Sequence, residues 1–584
     1  MTRLRTLALA LVAMALVVPA VSAAATSSDA TAHRRSIALR PFDREDEGEE
    51  GDIGDLPDED ATLMELGALG NGALKFWARQ FTEDVAHAGR FVPSQVECTT
   101  RHRGTSIDFW LDCDSLLPND EPDIEVDPND PDHIVASSND YDSCCDGFYT
   151  SFDGGETWTQ GNMSVENSRK TGSDPVTVIE PRTGNVIHAS LNYGFTASGF
   201  SRDGDVVVSI SRDGGVTWDR PVEVYDGEGS DIAPTQVFND KEWIVVDTTP
   251  TSPHYGRAYL TWTRFLSHDG EYAEAPIWES HSDDGGKTWS EAHEISGSAA
   301  FCDIQYDGPA GECDEDQNSV PTVGPDGTVY VSFFNEQNGS IQEPGEGYPN
   351  RQDFHDDQYL VVRSNDGGVT WSDPVIAATL EDGPRDYPFN ADGRQTLTGY
   401  QVRVWAAGNL VADDNGNLFL VWADNTNGEH DTRHPVTNSD VFMVRSTDGG
   451  QTWSDPFTVD SSPNDQWFPW VDADPTSGEI AVVYHTRNET NPDLYNTVVA
   501  TGDGFGAFTY TQVTSQPSDP TRAVFFRAAT KGCFPCATFM GDYNRVAYGP
   551  DGRIHAVWTD MRRRYHGASH GVRFLQFIDY AQLP

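Results

Sequence analysis

Five times between residues 151 and 453 the chain repeats one eight-residue phrase, Ser-x-Asp-x-Gly-x-Thr-Trp. The copies are SFDGGETW at 151–158, SRDGGVTW at 211–218, SDDGGKTW at 282–289, SNDGGVTW at 364–371 and STDGGQTW at 446–453. They start 60, 71, 82 and 82 residues apart, and a worn copy, TGDGFGAF, occupies 501–508. The phrase reads as a hairpin turn. Gly-Gly supplies positive φ, the Asp carboxylate accepts hydrogen bonds from turn amides, and Thr-Trp opens the next strand. Asp153, Asp213, Asp284, Asp366 and Asp448 are therefore expected to build the fold rather than to do chemistry.

A second unit recurs around these turns: a short apolar strand, an acidic or Gly-containing turn, then a second apolar strand. Ile124–Val126 with Ile134–Ser137 is the first of seven such pairs, and Arg545–Tyr548 with Ile554–Trp558 is the last. A repeat of about 60–80 residues with four short strands is one blade of a propeller. With 53 Gly, 34 Pro and 11% aromatic residues, the chain has the turns and ring surface for an all-β fold.

The eight-residue phrases are similar to Asp boxes, also called bacterial neuraminidase repeats. Over roughly residues 120–584 the chain resembles the sialidase-like β-propeller superfamily. Segments such as NDKEWIVVDTTP, WFPWVDADPTSG and GDYNRVAYGPDG resemble secreted bacterial sialidase-like proteins. The resemblance implies an all-β propeller of four-stranded blades. Sialidase propellers have six blades, whereas seven strand pairs stand here. Seven blades are preferred, with six plus an accessory sheet as the alternative. The last unit lacks a fourth strand, and an N-terminal strand, Thr105–Leu111 between Cys98 and Cys113, is expected to supply it and close the ring.

Charge narrows the partners. Thirty-eight Lys+Arg against 93 Asp+Glu give a net charge of −55, which repels phosphate backbones and excludes nucleic acid. Only five of the basic residues are Lys, a balance that fits either a salty setting or high-GC coding. Residues 1–23 read as a signal peptide, with Arg3 and Arg5 ahead of an apolar stretch and Val21-Ser22-Ala23 as cleavage site. Residues 24–60 read as a disordered acidic segment, 61–95 as an extension with a short helix near 73–88, and 96–584 as the propeller. No later stretch is apolar enough to span a bilayer, so a secreted monomer is expected. Eight cysteines then favour disulfides, with Cys98/Cys113 and Cys302/Cys313 as local pairs.

Ligands of a propeller meet at one end of its axis, and the resemblance places that end opposite the Asp boxes. The residues leading into the inner strands are the candidates, and acids recur among them: Asp120, Glu121, Asp174, Asp240, Glu242 and Asp542. Converging carboxylates admit three readings. They could be the acid pair of a glycosidase, a Ca²⁺ site, or caps on turn amides. Asp240, Asp542, Glu242 and Tyr543 are the catalytic candidates, Tyr543 because sialidases use a carboxylate-activated tyrosine. Arg403, Arg545, Trp467 and Trp405 are the substrate-binding candidates. No Phe/Tyr-Arg-Ile-Pro motif, which carries the superfamily's first substrate-carboxylate arginine, is present. His355, His430 and His434 lie in long insertions beside acids, where scattered surface histidines outweigh a metal cluster. The expectation is a sialidase-like glycoside hydrolase acting on extracellular glycans, with no required cofactor. The rival is a non-catalytic propeller that binds glycan or protein.

Overall fold

The structure, a computed structural model, describes residues 94–584 apart from 103–104, 113–117, 142–144, 167–169, 197–198, 228–234, 269–270, 303–308, 338–355, 384–385, 391–393, 432–433, 524–536 and 566–572. The signal peptide, the acidic segment, the short helix, His355 and Cys113 of the expected Cys98/Cys113 pair lie outside the described residues.

Seven antiparallel sheets form a propeller ring, and no helix occurs among the described residues. The inner strands, blades 1 to 7 in order, are Asn119–Asp127, Thr171–Glu180, Thr235–Val246, Asp316–Val323, Gly408–Ala412, Gln466–Ala473 and Arg545–Tyr548. Each pairs with the strand that follows it, as the seven sequence pairs require, and the count is seven rather than six. The fourth strand of blade 7 is Asp108–Trp110, which lies antiparallel on Arg573–Leu583 with Phe109 opposite Tyr580. Blade 1 carries a fifth strand that the repeat does not announce: Gln95–Arg101 pairs with Thr157–Asn162.

The core sits between blades. Phe419, Val421 and Met443 of blade 5 pack on Val482 and Tyr484 of blade 6, and similar apolar layers fill the other seams. Burying such side chains contributes about 1.5–3 kcal/mol each. Cys302 and Cys313 form a disulfide.

The Asp-box turns are built alike. In the first, the Thr157 amide donates to Asp153 Oδ1 (2.8 Å), the Thr157 hydroxyl to Oδ2 (2.7 Å), and the Gly155 amide to Ser151 Oγ (2.9 Å). The same Asp–Thr pairing recurs at Asp213, Asp284, Asp366 and Asp448. Gly155 must be glycine: its φ is +90°, and a Cβ there would strike the Tyr580 hydroxyl.

Candidate functional site

The inner strands do not begin as plain ladders. Register shifts fall between Asp120 and Asp123, Ser173 and Val176, Asp240 and Trp243, Gln317 and Val320, and Trp467 and Trp470. At each bulge one non-glycine residue takes positive φ: Glu121 (54°), Asp174 (57°), Lys241 (52°), Asn318 (59°) and Phe468 (52°). A left-handed side-chain residue costs about 1–2 kcal/mol, and bulges re-aim side chains at rims and sites. Here the strain is spent at the same level in five blades, and in the first three blades it falls within the acid-rich stretches.

Asp240 accepts from Gln317 Nε2 at 2.9 Å, while its Oδ1 is buried with no donor. Burial, then Asp174, with Asp542 adding, push its carboxyl up to about 7 despite that bond. Asp542 is held differently. Arg403 Nε donates to its Oδ1 at 3.0 Å and a second guanidinium nitrogen to Oδ2, a bidentate pair. The Asp542 side chain keeps 14% of its surface exposed, so this pair stands at the open side of the cluster. Two carboxyl groups that act on one another thus sit in opposite environments, one desolvated and one clamped by an arginine.

Lys241 lies at the centre. Its ammonium sits 3.9 Å from the Tyr543 ring centroid and 4.1 Å from that of Trp243, a doubly stacked cation. Burial pulls its pKa down, against the pull of Asp174, Glu121, Glu242 and Asp542. Glu121 is pushed well up by burial and then by Asp174, Asp542 and Asp120. Asn139 joins blades 1 and 2 here, donating to Asp120 Oδ1 (3.1 Å) and accepting from the Asp174 amide (3.1 Å). Sequence reasoning overlooked Lys241 and Asn139. The signal for Lys241 was its place between two acidic candidates; Asn139 had none.

The remaining candidates are placed as follows. Glu242 is fully buried, neither oxygen has a donor, and burial followed by Asp174 raises its pKa well above the carboxylate range. Tyr543 is buried beneath Lys241, and burial with the surrounding acids opposes its ionisation. Arg545 faces the other way along the axis, pairing with Asp123 (3.2 Å) and Glu125 (3.4 Å) between Trp243 and Trp470. It borders a cavity of about 380 Å³, also lined by Glu125, Asp472 and Thr322. Trp467 is enclosed by Tyr400, His485 and Tyr495, and Trp405 packs edge-on against Phe334. Trp467 therefore offers no open face for a sugar, whereas Trp405 is only partly buried.

The BNR/Asp-box repeat family matches residues 444–455. No curated protein matches the sequence. Among solved structures the chain is similar to a Dyadobacter fermentans protein of unknown function, at 12% identity and a TM-score of 0.42, over 72% of this chain and 96% of that one. It is also similar to a mutant of the NanB sialidase of Streptococcus pneumoniae (10% identity, TM-score 0.38, 77% and 83% covered). A third similar structure is the Penicillium chrysogenum α-L-arabinanase (13% identity, TM-score 0.37, 66% and 94% covered). The chain is a seven-bladed β-propeller carrying BNR/Asp-box repeats.

Proposed function

We propose that the chain is a secreted glycoside hydrolase that acts on extracellular glycans at the Asp240–Asp542 end of its axis. The observation that carries this reading is the opposed setting of those two carboxyl groups. A glycosidase needs one carboxylic acid that still holds its proton near neutral pH and one carboxylate that does not. Asp240, pushed up to about 7, is the proton donor to the leaving glycosidic oxygen. Asp542, held by the Arg403 guanidinium, either activates water or attacks the anomeric carbon. Tyr543 is the weaker nucleophile, because burial and nearby acids oppose removing its proton.

Charge bears on the sugar. The cluster is rich in carboxyl groups, and its arginine, Arg403, already holds the Asp542 carboxylate. Such a site favours a neutral glycan over a sialoside, whose carboxylate would need guanidinium groups free to pair. The rival reading, a propeller that binds glycan without cleaving it, draws on the burial of Asp240, Glu242 and Tyr543.

The test is hydrolysis of a panel of fluorogenic glycosides, a sialoside among them, with and without chelator. Release from neutral glycosides is expected, insensitive to chelator. Release from the sialoside alone would replace the neutral-sugar reading. Binding without release, by protein shown to be folded, would favour the rival, and loss of release with chelator would bring in Ca²⁺.

A further inference from the structure

We propose that Glu381, Asp386 and His430 form a divalent transition-metal site that ties the connection between blades 4 and 5 to a loop of blade 5. One donor atom from each residue lies within 4.8 Å of the others. Glu381 and Asp386 follow Val375–Leu380, the last strand of blade 4. His430 comes from the loop between Leu418–Asp424 and Asp440–Ser446 in blade 5.

The imidazole is set as a ligand would be. His430 Nδ1 hydrogen-bonds Asp386 Oδ1 at 2.6 Å and lies 3.9 Å from Glu381 Oε2, so a metal ion would take the place of the proton these two ligands share. The ring also hydrogen-bonds the backbone of Thr426, the kind of outer partner that fixes a ligating histidine. The other oxygen of Asp386 accepts from the Gly383 amide at 2.6 Å. Beside Glu381, the buried Asp382 uses Oδ2 to accept from the Ala406 amide at 2.7 Å, and its Oδ1 has no donor.

Among the described residues no lysine or arginine ion-pairs with Glu381 or Asp386. The cluster of Asp205, Glu223 and Asp226 shows the contrast, because there the Lys170 ammonium reaches Asp205. An imidazole with carboxylates suits Zn²⁺ or Mn²⁺, whereas Ca²⁺ takes oxygen ligands. The Glu381 and His430 side chains are 42% and 32% exposed, which leaves an entry path and room for water ligands.

The experiment strips the full chain with EDTA and titrates it calorimetrically with ZnCl₂, MnCl₂ and CaCl₂, alongside His430→Gln and Asp386→Asn. The expected result is one saturable Zn²⁺ or Mn²⁺ site per chain. Its Kd should rise at least about tenfold in both variants, and the metal should raise the melting temperature of the unmodified chain only. Asp386→Asn removes a loop contact and is judged only if its melt is cooperative, whereas His430→Gln changes a partly exposed side chain and decides alone. No saturable binding of either metal, or an unchanged Kd in His430→Gln, overturns the site. Calcium bound as tightly as zinc would overturn its imidazole chemistry.

Discussion

The Asp-box aspartates and the acids at the heads of the inner strands both recur blade by blade, yet their surroundings are opposite. Asp366 and Asp448 stand at the surface. Their threonine partners, Thr370 and Thr452, saturate both oxygens and pull each carboxyl down to about 2. Asp240 and Glu242 are buried, keep oxygens without donors, and are pushed up. The first set repeats the same residue because each turn satisfies itself. The second set changes residue from blade to blade, Glu121, Asp174, Lys241, Asn318 and Phe468 at equivalent bulges, and the first three act on one another across the ring. Uniform repetition marks structure, and variation at a fixed, strained position marks a site.

The comparison can be broken at several points. Replacing Asp240 by Asn should lower kcat/KM on a cleaved glycoside by about 10²–10⁴-fold with no loss of melting temperature. A loss below tenfold would remove Asp240 from the chemistry. Lys241→Met should cost stability instead, about 3–5 kcal/mol by urea denaturation, since it leaves Glu121, Asp174 and Glu242 without their central cation. Asp366→Ala should cost about 1 kcal/mol and leave activity within twofold, because its bonds are local and solvent-screened.

A further effect is on the pH dependence of stability. Asp240 has a folded value of about 7, above an unfolded value near ~3.9. Its contribution is therefore complete below about pH 4 and lost as pH rises through 7. Urea midpoints between pH 4 and 7 should fall less steeply in Asp240→Asn. Asp366 has the opposite sign: its contribution is present above about pH 4 and lost as pH falls towards 2. An identical slope in Asp240→Asn would mean that the carboxyl is not desolvated.

The fold was legible because its signals are local. An eight-residue turn carries its own hydrogen bonds, and a strand pair shows its period within about 20 residues. The site was legible only as a region. The heads of the inner strands bring Asp240, Asp542, Tyr543 and Glu242 together with Arg403. What separates their settings is long-range pairing: Arg403 with Asp542, Asn139 with the Asp174 amide, Lys241 between two rings. The bulges left a trace, since Glu121, Asp174 and Phe468 each precede a proline, but Lys241 and Asn318 do not. Trp467 and Trp405 look alike in sequence, and only the packing of Tyr400 and Tyr495 against Trp467 distinguishes them.

Trp243 and Trp470 stack with their ring centroids 4.4 Å apart, from blades 3 and 6. Lys241 and Tyr543 lie on one side of this pair, and Arg545 lies close to both indoles. Two indoles this close couple their electronic transitions, so the pair should give a paired circular-dichroism band that isolated tryptophans lack. The centre of the ring thus carries its own optical reporter. A ligand settling beside Lys241 at one end, or beside Arg545 at the other, would perturb the band without any label attached to the protein.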